Sequence, residues 1–201
     1  MITNTHAQFI KTVISKYSPI EEDTLVQLQT IAQVQHLKKN ELLLQIGQVS
    51  KSVHMLYEGI IVAYFLDANG DAYHKNIFLE SDFVGSTVSA LQNTPSHFAL
   101  EAIEDVTIIS FNYQQYRQLI ASREDLKNFY IAYLEKNWVI DKEKREIEIV
   151  MKEAKSRYVD FIHTRPNIEK RVPLHYIASH LGITPTQLSR IRKNLKKNQK
   201  K

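Results

Sequence analysis

The sequence contains no cysteine among its 201 residues. Structural disulfides, cysteine-ligated zinc and iron–sulfur clusters are therefore excluded, and the composition is typical of a reducing compartment. No stretch approaches the roughly 18 apolar residues of a membrane span, and residues 1–8 lack the basic start and apolar core of a signal peptide. We therefore expect a soluble, cytoplasmic protein with no membrane partner.

Acidic residues are missing from the end of the chain. Residues 170–201 contain nine Lys or Arg and no Asp or Glu. Removing these nine from the 26 basic residues leaves 17 against 22 acidic ones in residues 1–169, so a net charge of +4 combines a body at −5 with a tail at +9. Positive charge gathered in one segment indicates a partner rich in phosphate, because phosphate neutralisation needs cations on one face.

The spacing within residues 174–193 predicts a helix-turn-helix. Ala178 and Gly182 provide a small residue where two helices cross and a turn residue that tolerates positive φ. Thr184, Pro185 and Gln187 supply the N-cap, the first-turn proline and the capping-box partner of the second helix. An ordinary amphipathic helical hairpin would explain the apolar spacing but not the missing acids. The residues expected to face inward are Ile177, Leu181, Ile183, Leu188 and Ile191.

The second helix of this motif is predicted to enter the major groove of double-stranded DNA. Arg190 is the best candidate for reading a base, because a guanidinium group pairs in bidentate fashion with guanine O6 and N7. We expect the basic residues that follow it to bind phosphates. The candidate DNA-binding residues are Thr184, Pro185, Thr186, Gln187, Ser189, Arg190, Arg192, Lys193, Lys196 and Lys197.

Between Val34 and Phe111 the sequence consists of short runs rich in Val, Ile, Tyr and Phe, separated by glycines roughly 10–15 residues apart. This rhythm predicts an antiparallel sandwich or barrel. Residues 53–57 and 60–66 are predicted to form two strands that pivot on Gly59, with Phe65 and Leu66 closing the second. Asn69-Gly70 predicts a type I′ hairpin turn.

Helices are predicted before the strands. Residues 5–16 carry apolar residues at helical intervals, and Ser18, Pro19 and Glu21 predict the N-cap, first-turn proline and capping box of a second helix.

Helices are also predicted after the strands. Residues 112–120 form a short helix, and apolar residues recur every three to four positions through the helix expected at 123–151, about 40 Å long at 1.5 Å per residue. Such a helix is too extended for one small barrel to cover, so we expect a symmetry mate; the alternative is a helix packed wholly on its own barrel. A further helix ends at Arg165-Pro166, and residues 166–173 form a short connection or small hairpin. The candidate dimer interface is Leu126, Phe129, Tyr130, Tyr133, Leu134 and Asn137.

The chain carries, in this order, Gly59 between strands, Asn69-Gly70, the segment 82–85 and a segment led by Pro95, followed by a long helix and a helix-turn-helix. The order of these features along the chain resembles the Crp/Fnr superfamily of bacterial transcription regulators. The resemblance covers nearly the whole chain and implies an α+β fold. Its parts are an N-terminal antiparallel β-barrel, a double-stranded β-helix of the cyclic-nucleotide-binding kind with flanking helices (residues 1–122), a dimerisation helix (123–151) and a winged helix-turn-helix (152–201). It also implies a homodimer that binds a palindromic operator and contacts RNA polymerase. Whether the wing is complete stays open.

The sequence departs from the family where a cyclic nucleotide would bind. Members that bind cyclic AMP carry Gly-Glu and Pro-Arg-Ser/Thr-Ala in their phosphate cassette, and here Gly85 is followed by Ser86 and Pro95 by Ser96. Because an arginine–phosphate pair is a strong charge-assisted contact, we expect no tight binding of cyclic AMP and no cofactor. An unidentified effector and a filled, vestigial barrel both stay open. The candidate effector pocket is Gly85, Ser86, Thr87, Ser96, His97, Tyr133 and Asn137.

Parts of the sequence are also compatible with two other functions. A cupin-like enzyme could use His54, His74, His97 and Glu101 around a metal, but a cupin site needs two histidines alternating on one strand and the sequence has no His-x-His pair. With no nucleophile–base pair either, no enzyme is predicted. A module whose tail binds RNA or an acidic protein would favour aromatics among the basic residues, and none follows Tyr176.

Overall fold

A computed structural model describes residues 2–198. Two helices come first, α1 (Asn4–Ser15) and α2 (Glu22–Thr30). The eight strands that follow are β1 (Ala32–Leu37), β2 (Leu42–Leu44), β3 (Ser52–Glu58), β4 (Ile61–Leu66), β5 (Ala72–Phe78), β6 (Phe83–Val84), β7 (Ala99–Ala102) and β8 (Val106–Asn112), with the helix α3 (Thr87–Gln92) between β6 and β7. The rest is helical: α4 (Tyr113–Ser122), α5 (Glu124–Leu134), a π-helical segment (Glu135–Ile140), α6 (Asp141–Met151), α7 (Ala154–Thr164), α8 (Ile168–Arg171), α9 (Leu174–His180) and α10 (Pro185–Asn198).

The strands form two antiparallel four-stranded sheets, in the orders β1-β8-β3-β6 and β2-β7-β4-β5. The predicted antiparallel sandwich is therefore confirmed. The chain passes from one sheet to the other at Gly59, whose φ is +97°. A Cβ at this position would lie 2.6 Å from the carbonyl oxygen of Asp105 and 2.8 Å from Cγ2 of Val106. The predicted pivot thus needs glycine both for its backbone angle and for the space around it.

The hairpin between β4 and β5 is present, but the predicted type I′ turn is wrong. Gly70 has a φ of +86°, whereas Asn69 is not among the residues with positive φ. The backbone N–H of Gly70 donates to the carbonyl of Asp67, and the Asp67 carboxylate accepts from the N–H groups of Asn69 (2.8 Å) and Asp71 (2.9 Å). Asp67 therefore organises a three-residue loop that ends in a left-handed glycine.

The predicted start of the second helix is also wrong. Helix α2 begins at Glu22, and its N-cap residue Glu21 makes no side-chain capping bond within the helix. Asp125, from the start of α5, instead accepts from the backbone N–H of Glu21 and from the hydroxyl of Thr24, both at 2.9 Å. A residue 104 positions away thus replaces the local capping box, which only the tertiary fold could bring into place.

Successive residues of a strand point alternately into the space between the two sheets and toward the helices that cover the sheets, so the strands contribute to hydrophobic cores on both sides of each sheet. In β8, Ile108 faces the interior between the sheets and Ile109 faces the helices outside. Helices α1, α2, α4 and α5 cover the sheet that contains β8. The outer face of the second sheet, with Val62 and Ile77, is covered by helices α7 to α10. The helix-turn-helix region therefore shares a hydrophobic core with the barrel.

The helical run from Glu124 to Met151 has two environments. Leu126 (0% exposed) and Phe129 (1%) are buried in the chain's own core, so their assignment to a dimer interface is corrected. Tyr130, Tyr133, Leu134 and Asn137 are partly buried. Neither the π-helical segment nor α6 has a buried residue. The large apolar residues left exposed on this run are Ile131, Trp138, Val139, Ile140, Ile147, Ile149, Val150 and Met151.

The connection at 166–173 contains the short helix α8 rather than a hairpin. The N-cap residue of this helix is Asn167, whose φ is +65°. No strand follows Asn112 within residues 2–198. The wing that the resemblance implies is therefore not found in the part of the chain that the structure describes. None of the helices in this part is long and apolar enough to cross a membrane.

Candidate nucleic-acid interface

The turn between α9 and α10 is closed by backbone hydrogen bonds around Gly182, whose φ is +67°. The N–H of Ile183 donates to the carbonyl of Ala178, and the N–H of Gly182 donates to the carbonyl of Ser179, both at 3.0 Å. This pair of bonds is a Schellman motif, which requires a residue in the left-handed conformation at the position of Gly182. The predicted turn glycine is confirmed.

Helix α10 begins with the predicted capping box. The N–H of Gln187 donates to Oγ1 of Thr184 (3.1 Å), and the N–H of Thr184 donates to Oε1 of Gln187 (3.0 Å). Both side chains are therefore engaged in starting the helix, with Pro185 at its first position. Thr184 and Gln187 thereby fix where the exposed residues that follow them are placed.

The inner face of α10 holds the helix against α9 and α7. Leu188 (1% exposed) packs with Ile177 and Ala178 (both 0%), and the predicted Leu181, Ile183 and Ile191 border the same cluster. Because these contacts fix the rotation of α10 about its axis, they also decide which residues face outward.

The outer face of α10 is exposed and carries no acidic side chain. Thr186, Ser189, Arg190, Lys193 and Lys197 are all exposed, and apart from the adjacent pair Ser189 and Arg190 they follow one another at intervals of three or four residues, the spacing of one helical face. The 14 residues of this helix include no Asp or Glu, and their length corresponds to about 21 Å at 1.5 Å per residue. This outer face offers hydroxyl, guanidinium and ammonium groups along one continuous strip. Lys196 is exposed beside it.

Arg192 does not belong to this strip. Its Nε lies 2.8 Å from Oε1 of Glu169, which also accepts a hydrogen bond of 2.6 Å from the hydroxyl of Tyr158. Burial and the bond to Glu169 raise the pKa of Tyr158 to about 12. Arg192 therefore joins α10 to α8 and α7, and its role as a phosphate ligand stays a prediction. Glu169 stands one position before the acid-free tail, so only the fold shows this pairing.

A second ion-pair cluster, also missed from the sequence, anchors α8 to the barrel. Arg171 binds Glu80, at 2.6 Å, and Glu104. Glu80 in turn accepts a hydrogen bond from the N–H of Gly59 at 3.2 Å. The two glutamates lie 91 and 67 positions from Arg171, so no local sequence pattern could pair them.

The candidate effector pocket has its polar groups satisfied internally. Ser86 and Ser96 are each 3% exposed, and their hydroxyls are 3.0 Å apart. Ser96 also donates to the carbonyl of Phe98 at 2.8 Å. Ser89, at 2% exposed, donates to the carbonyl of Thr94 and accepts from the N–H of Ser50. The two halves of the cassette are thus tied to each other by neutral groups.

The other residues of that predicted pocket are spread over different surroundings. Gly85 and Thr87 flank Ser86 and are partly buried, whereas His97 is exposed. Tyr133 packs against Tyr17 with a centroid distance of 5.4 Å, and Asn137 donates to the Tyr17 hydroxyl at 3.3 Å.

The histidines of the alternative cupin-like site lie in separate places. His54 is buried beside Ser110, with Nδ1 and Oγ 2.7 Å apart, and burial lowers the pKa of His54 to about 4. His74 stacks on Tyr176 of α9, while His97 is exposed. Within residues 2–198 no group of three or more His, Asp or Glu side chains is arranged to hold a metal ion.

Comparison with known proteins agrees with this architecture. The family model of the cyclic nucleotide-binding domain matches residues 34–123. No curated protein sequence matches the chain.

Solved structures match it closely in fold. CLP of Xanthomonas campestris, described as a c-di-GMP responsive global regulator, superposes with a TM-score of 0.68 and 12% identity over 89% of this chain and 93% of that one. FixK2 of Bradyrhizobium japonicum gives a TM-score of 0.67 and 16% identity over 84% and 86%. The catabolite activator protein of Thermus thermophilus gives 0.55 and 13% over 89% and 85%. Residues 34–123 therefore match the cyclic nucleotide-binding domain family, and the chain as a whole shares the fold of these solved structures.

Proposed function

We propose that this protein is a transcription regulator that binds a palindromic operator as a homodimer through α10. The observation that carries the proposal is the outer face of α10, where Thr186, Ser189, Arg190 and Lys193 are exposed on one strip and the helix contains no acid. A helix of this width fits the major groove, and its N-terminal half would meet base edges.

The roles within the strip follow from side-chain chemistry. Arg190 would pair with guanine, and Thr186 would contact a base edge or a thymine methyl group. Lys193, Lys196 and Lys197 would bind phosphates, which fixes orientation without reading sequence. Arg192 is held by Glu169 and is left out of the contact set.

A homodimer would form through the exposed side of the helical run rather than through Leu126 and Phe129. Ile147 is 54% exposed and Val150 is 81% exposed. Several large apolar residues left exposed along one helical run are typical of a protein–protein contact. The surface that we assign to the second copy comprises Ile131, Trp138, Ile140, Ile147, Val150 and Met151.

The dimer is tested by placing charges on this surface. The double substitution Ile147→Glu/Val150→Glu should convert a dimer into a monomer in sedimentation experiments. Leu91→Glu is the matched control, because Leu91 on α3 is 55% exposed and apolar but lies outside the proposed surface. Equal masses for the double variant and the control would refute this interface.

Tight control by cyclic AMP is not part of the proposed function. The cassette presents Ser86 and Ser96, already bonded to each other, where a charged anchor would be needed for a cyclic phosphate. Calorimetry should therefore show no binding of cyclic AMP in the micromolar range. A micromolar or tighter dissociation constant would contradict this part of the proposal.

DNA recognition itself is tested by selecting bound sequences from a pool of random duplexes. We expect the full chain to enrich an inverted repeat whose half-sites are about one helical turn, roughly 34 Å, apart. Binding should weaken steeply with salt, because phosphate contacts release counterions. Enrichment of no common sequence, or of single-stranded RNA in a parallel pool, would overturn the proposal.

A further inference from the structure

A seam joins the barrel to the helix-turn-helix, on the side of α9 that faces strand β5. We call this contact the docking seam and define it by His74 and Lys75 of β5 and Tyr176, Ser179 and His180 of α9. The N–H of His74 donates to Oγ of Ser179 at 2.8 Å. The rings of His74 and Tyr176 stack with centroids 3.8 Å apart and planes 25° from parallel.

His74 is held in this seam without a hydrogen-bond partner for one ring nitrogen. The residue is 4% exposed, and its Nδ1 has no partner among the described residues. Burial, and then the nearby charge of His175, lower the pKa of His74 to about 4. Tyr64 of β4 also faces this ring, and Glu101 of β7 lies near both tyrosines. A proton on His74 would therefore place a buried charge on a stacked ring.

His180 contacts strand β5 at a site surrounded by cationic side chains. Its Nδ1 lies 3.1 Å from the carbonyl oxygen of Lys75, which only accepts, so this contact is a hydrogen bond in the tautomer that carries the hydrogen on Nδ1. Nη2 of Arg145, from α6, is 3.4 Å from the same Nδ1. Burial, followed by the charges of Arg145 and Arg165, lowers the pKa of His180 to about 3.

The charges around His180 come from every element that contacts it. Strand β5 contributes Lys75, and α6 contributes Arg145 and, near Lys75, Lys142. The end of α7 contributes Arg165 and the ring of Phe161. The carboxylate of Asp82 lies near this cluster of cations and faces Arg165. Within residues 2–198, neither Lys75 nor Arg145 has a carboxylate oxygen within 4.0 Å.

We propose that the docking seam is a proton-sensitive lock, in which mild acid charges His74 and His180 and releases the helix-turn-helix from the barrel. Neutral histidines fit the seam because one ring stacks in a buried site and the other sits beside arginine. Charged histidines would add two cations to a surface that already holds Lys75, Lys142, Arg145 and Arg165. The effect of release on DNA binding rests on the proposed function, whereas the release itself does not.

The direction of the pH effect follows from the two pKa values. Both histidines have a lower pKa in the docked state than the value of about 6.5 that they would regain in water. Docking is therefore at full strength above pH 6.5 and weakens as the pH falls toward 4. Because most of this change falls below pH 6.5, each histidine weakens docking about tenfold between pH 7.5 and 5.5, and the two together give roughly a 100-fold change.

The other charged contact across the same interface should stay intact in this window. Although burial opposes it, the hydrogen bond from Arg171 lowers the pKa of Glu80, so this carboxylate remains ionised at pH 5.5. A response between pH 7.5 and 5.5 would thus report the histidines rather than the ion pairs of Arg171.

The absence of cysteine makes a direct distance measurement straightforward. Cysteines introduced at Asp71, in the β4–β5 loop, and at Lys193, on α10, would carry a donor and an acceptor dye; both positions are exposed. At pH 7.5 we expect a single short distance. At pH 5.5 a second, longer distance should appear, in the absence of any DNA.

Two variants provide the controls. His74→Phe/His180→Asn keeps an aromatic ring on Tyr176 and a donor near the Lys75 carbonyl but cannot be protonated, so it should retain the short distance at pH 5.5. His97→Asn removes an exposed histidine and should behave like the parent. No change in the parent, or an equal change in the double variant, would overturn the proposal.

A second measurement covers the case in which the double variant fails to dock at pH 7.5. Hydrogen exchange of the His74 amide in the unaltered chain, corrected for the intrinsic effect of pH, reports the bond to Ser179 directly. We expect its protection to fall about 100-fold between pH 7.5 and 5.5. Unchanged protection would refute the lock.

Discussion

Helix α10 and the phosphate cassette of the barrel differ in whether their polar side chains are exposed to solvent or bonded inside the protein. On α10, Ser189 and Arg190 face solvent on an exposed strip. In the cassette, Ser86 and Ser96 are buried and bonded to each other. A surface that binds a polar partner needs donors and acceptors that are accessible before binding, because a group already satisfied inside the protein must break a bond first. By this criterion, α10 is prepared for a ligand and the cassette is closed.

The strongest test of the α10 side of this comparison is Arg190→Ala. Loss of a bidentate guanine contact should reduce affinity for the selected operator by about 1–3 kcal/mol, while affinity for random DNA changes little. Titration of both duplexes at one salt concentration measures the difference. Equal losses on operator and random DNA would assign Arg190 to the phosphates instead.

On the cassette side, Ser96→Ala removes the hydroxyl that bonds Ser86 and the Phe98 carbonyl. Because both groups are left in a buried site, the free energy of unfolding should fall by about 1–3 kcal/mol. Denaturant unfolding gives the value. His97→Ala, at an exposed position of the same segment, is the control and should change it little. A neutral Ser96→Ala would mean that the cassette is less tightly closed than its contacts indicate.

Arg192→Ala sharpens the boundary between the exposed strip and the inner face of α10. Loss of the partly exposed pair with Glu169 should lower the free energy of unfolding by about 0.5–1 kcal/mol. Operator and random DNA should be affected alike, in contrast to Arg190→Ala. A selective loss of operator binding would return Arg192 to the DNA-contact set.

The smallest effect is expected for Lys196→Ala. A single phosphate contact is sequence-independent, so operator and random DNA should weaken together, and the slope of log affinity against log salt should fall by about 1. Thermal unfolding should be unchanged, because the side chain is exposed. A salt slope identical to that of the parent would exclude Lys196 from the phosphate contacts.

Local patterns predicted the parts of the structure whose causes are local. The Gly182 turn and the Thr184–Gln187 capping box involve neighbours within five residues, so their residue types and spacing were sufficient. The capping box predicted at Ser18 and the type I′ turn at Asn69 failed although they too are local. At those places Asp125 and Asp67 supplied competing hydrogen-bond acceptors.

The long helix shows why periodicity alone could not locate a dimer interface. A stripe of apolar residues predicts that one helical face is covered, but not by what. The chain's own N-terminal helices and barrel cover Leu126 and Phe129, while Ile147 and Val150 stay exposed. The candidate interface therefore moved toward the C-terminal half of the helix.

By itself, the sequence determined that a basic, acid-free helix-turn-helix follows an antiparallel barrel whose cassette lacks its charged anchors, because residue type and spacing act over a few positions along the chain. Only the tertiary structure decided which of those groups are accessible. It paired Arg192 with Glu169 and Arg171 with Glu80, and it placed His74 against Tyr176 across 102 positions. Burial and pairing depend on what the fold brings together from distant parts of the chain, and these contacts separate the residues left exposed on α10 from those that hold the protein together.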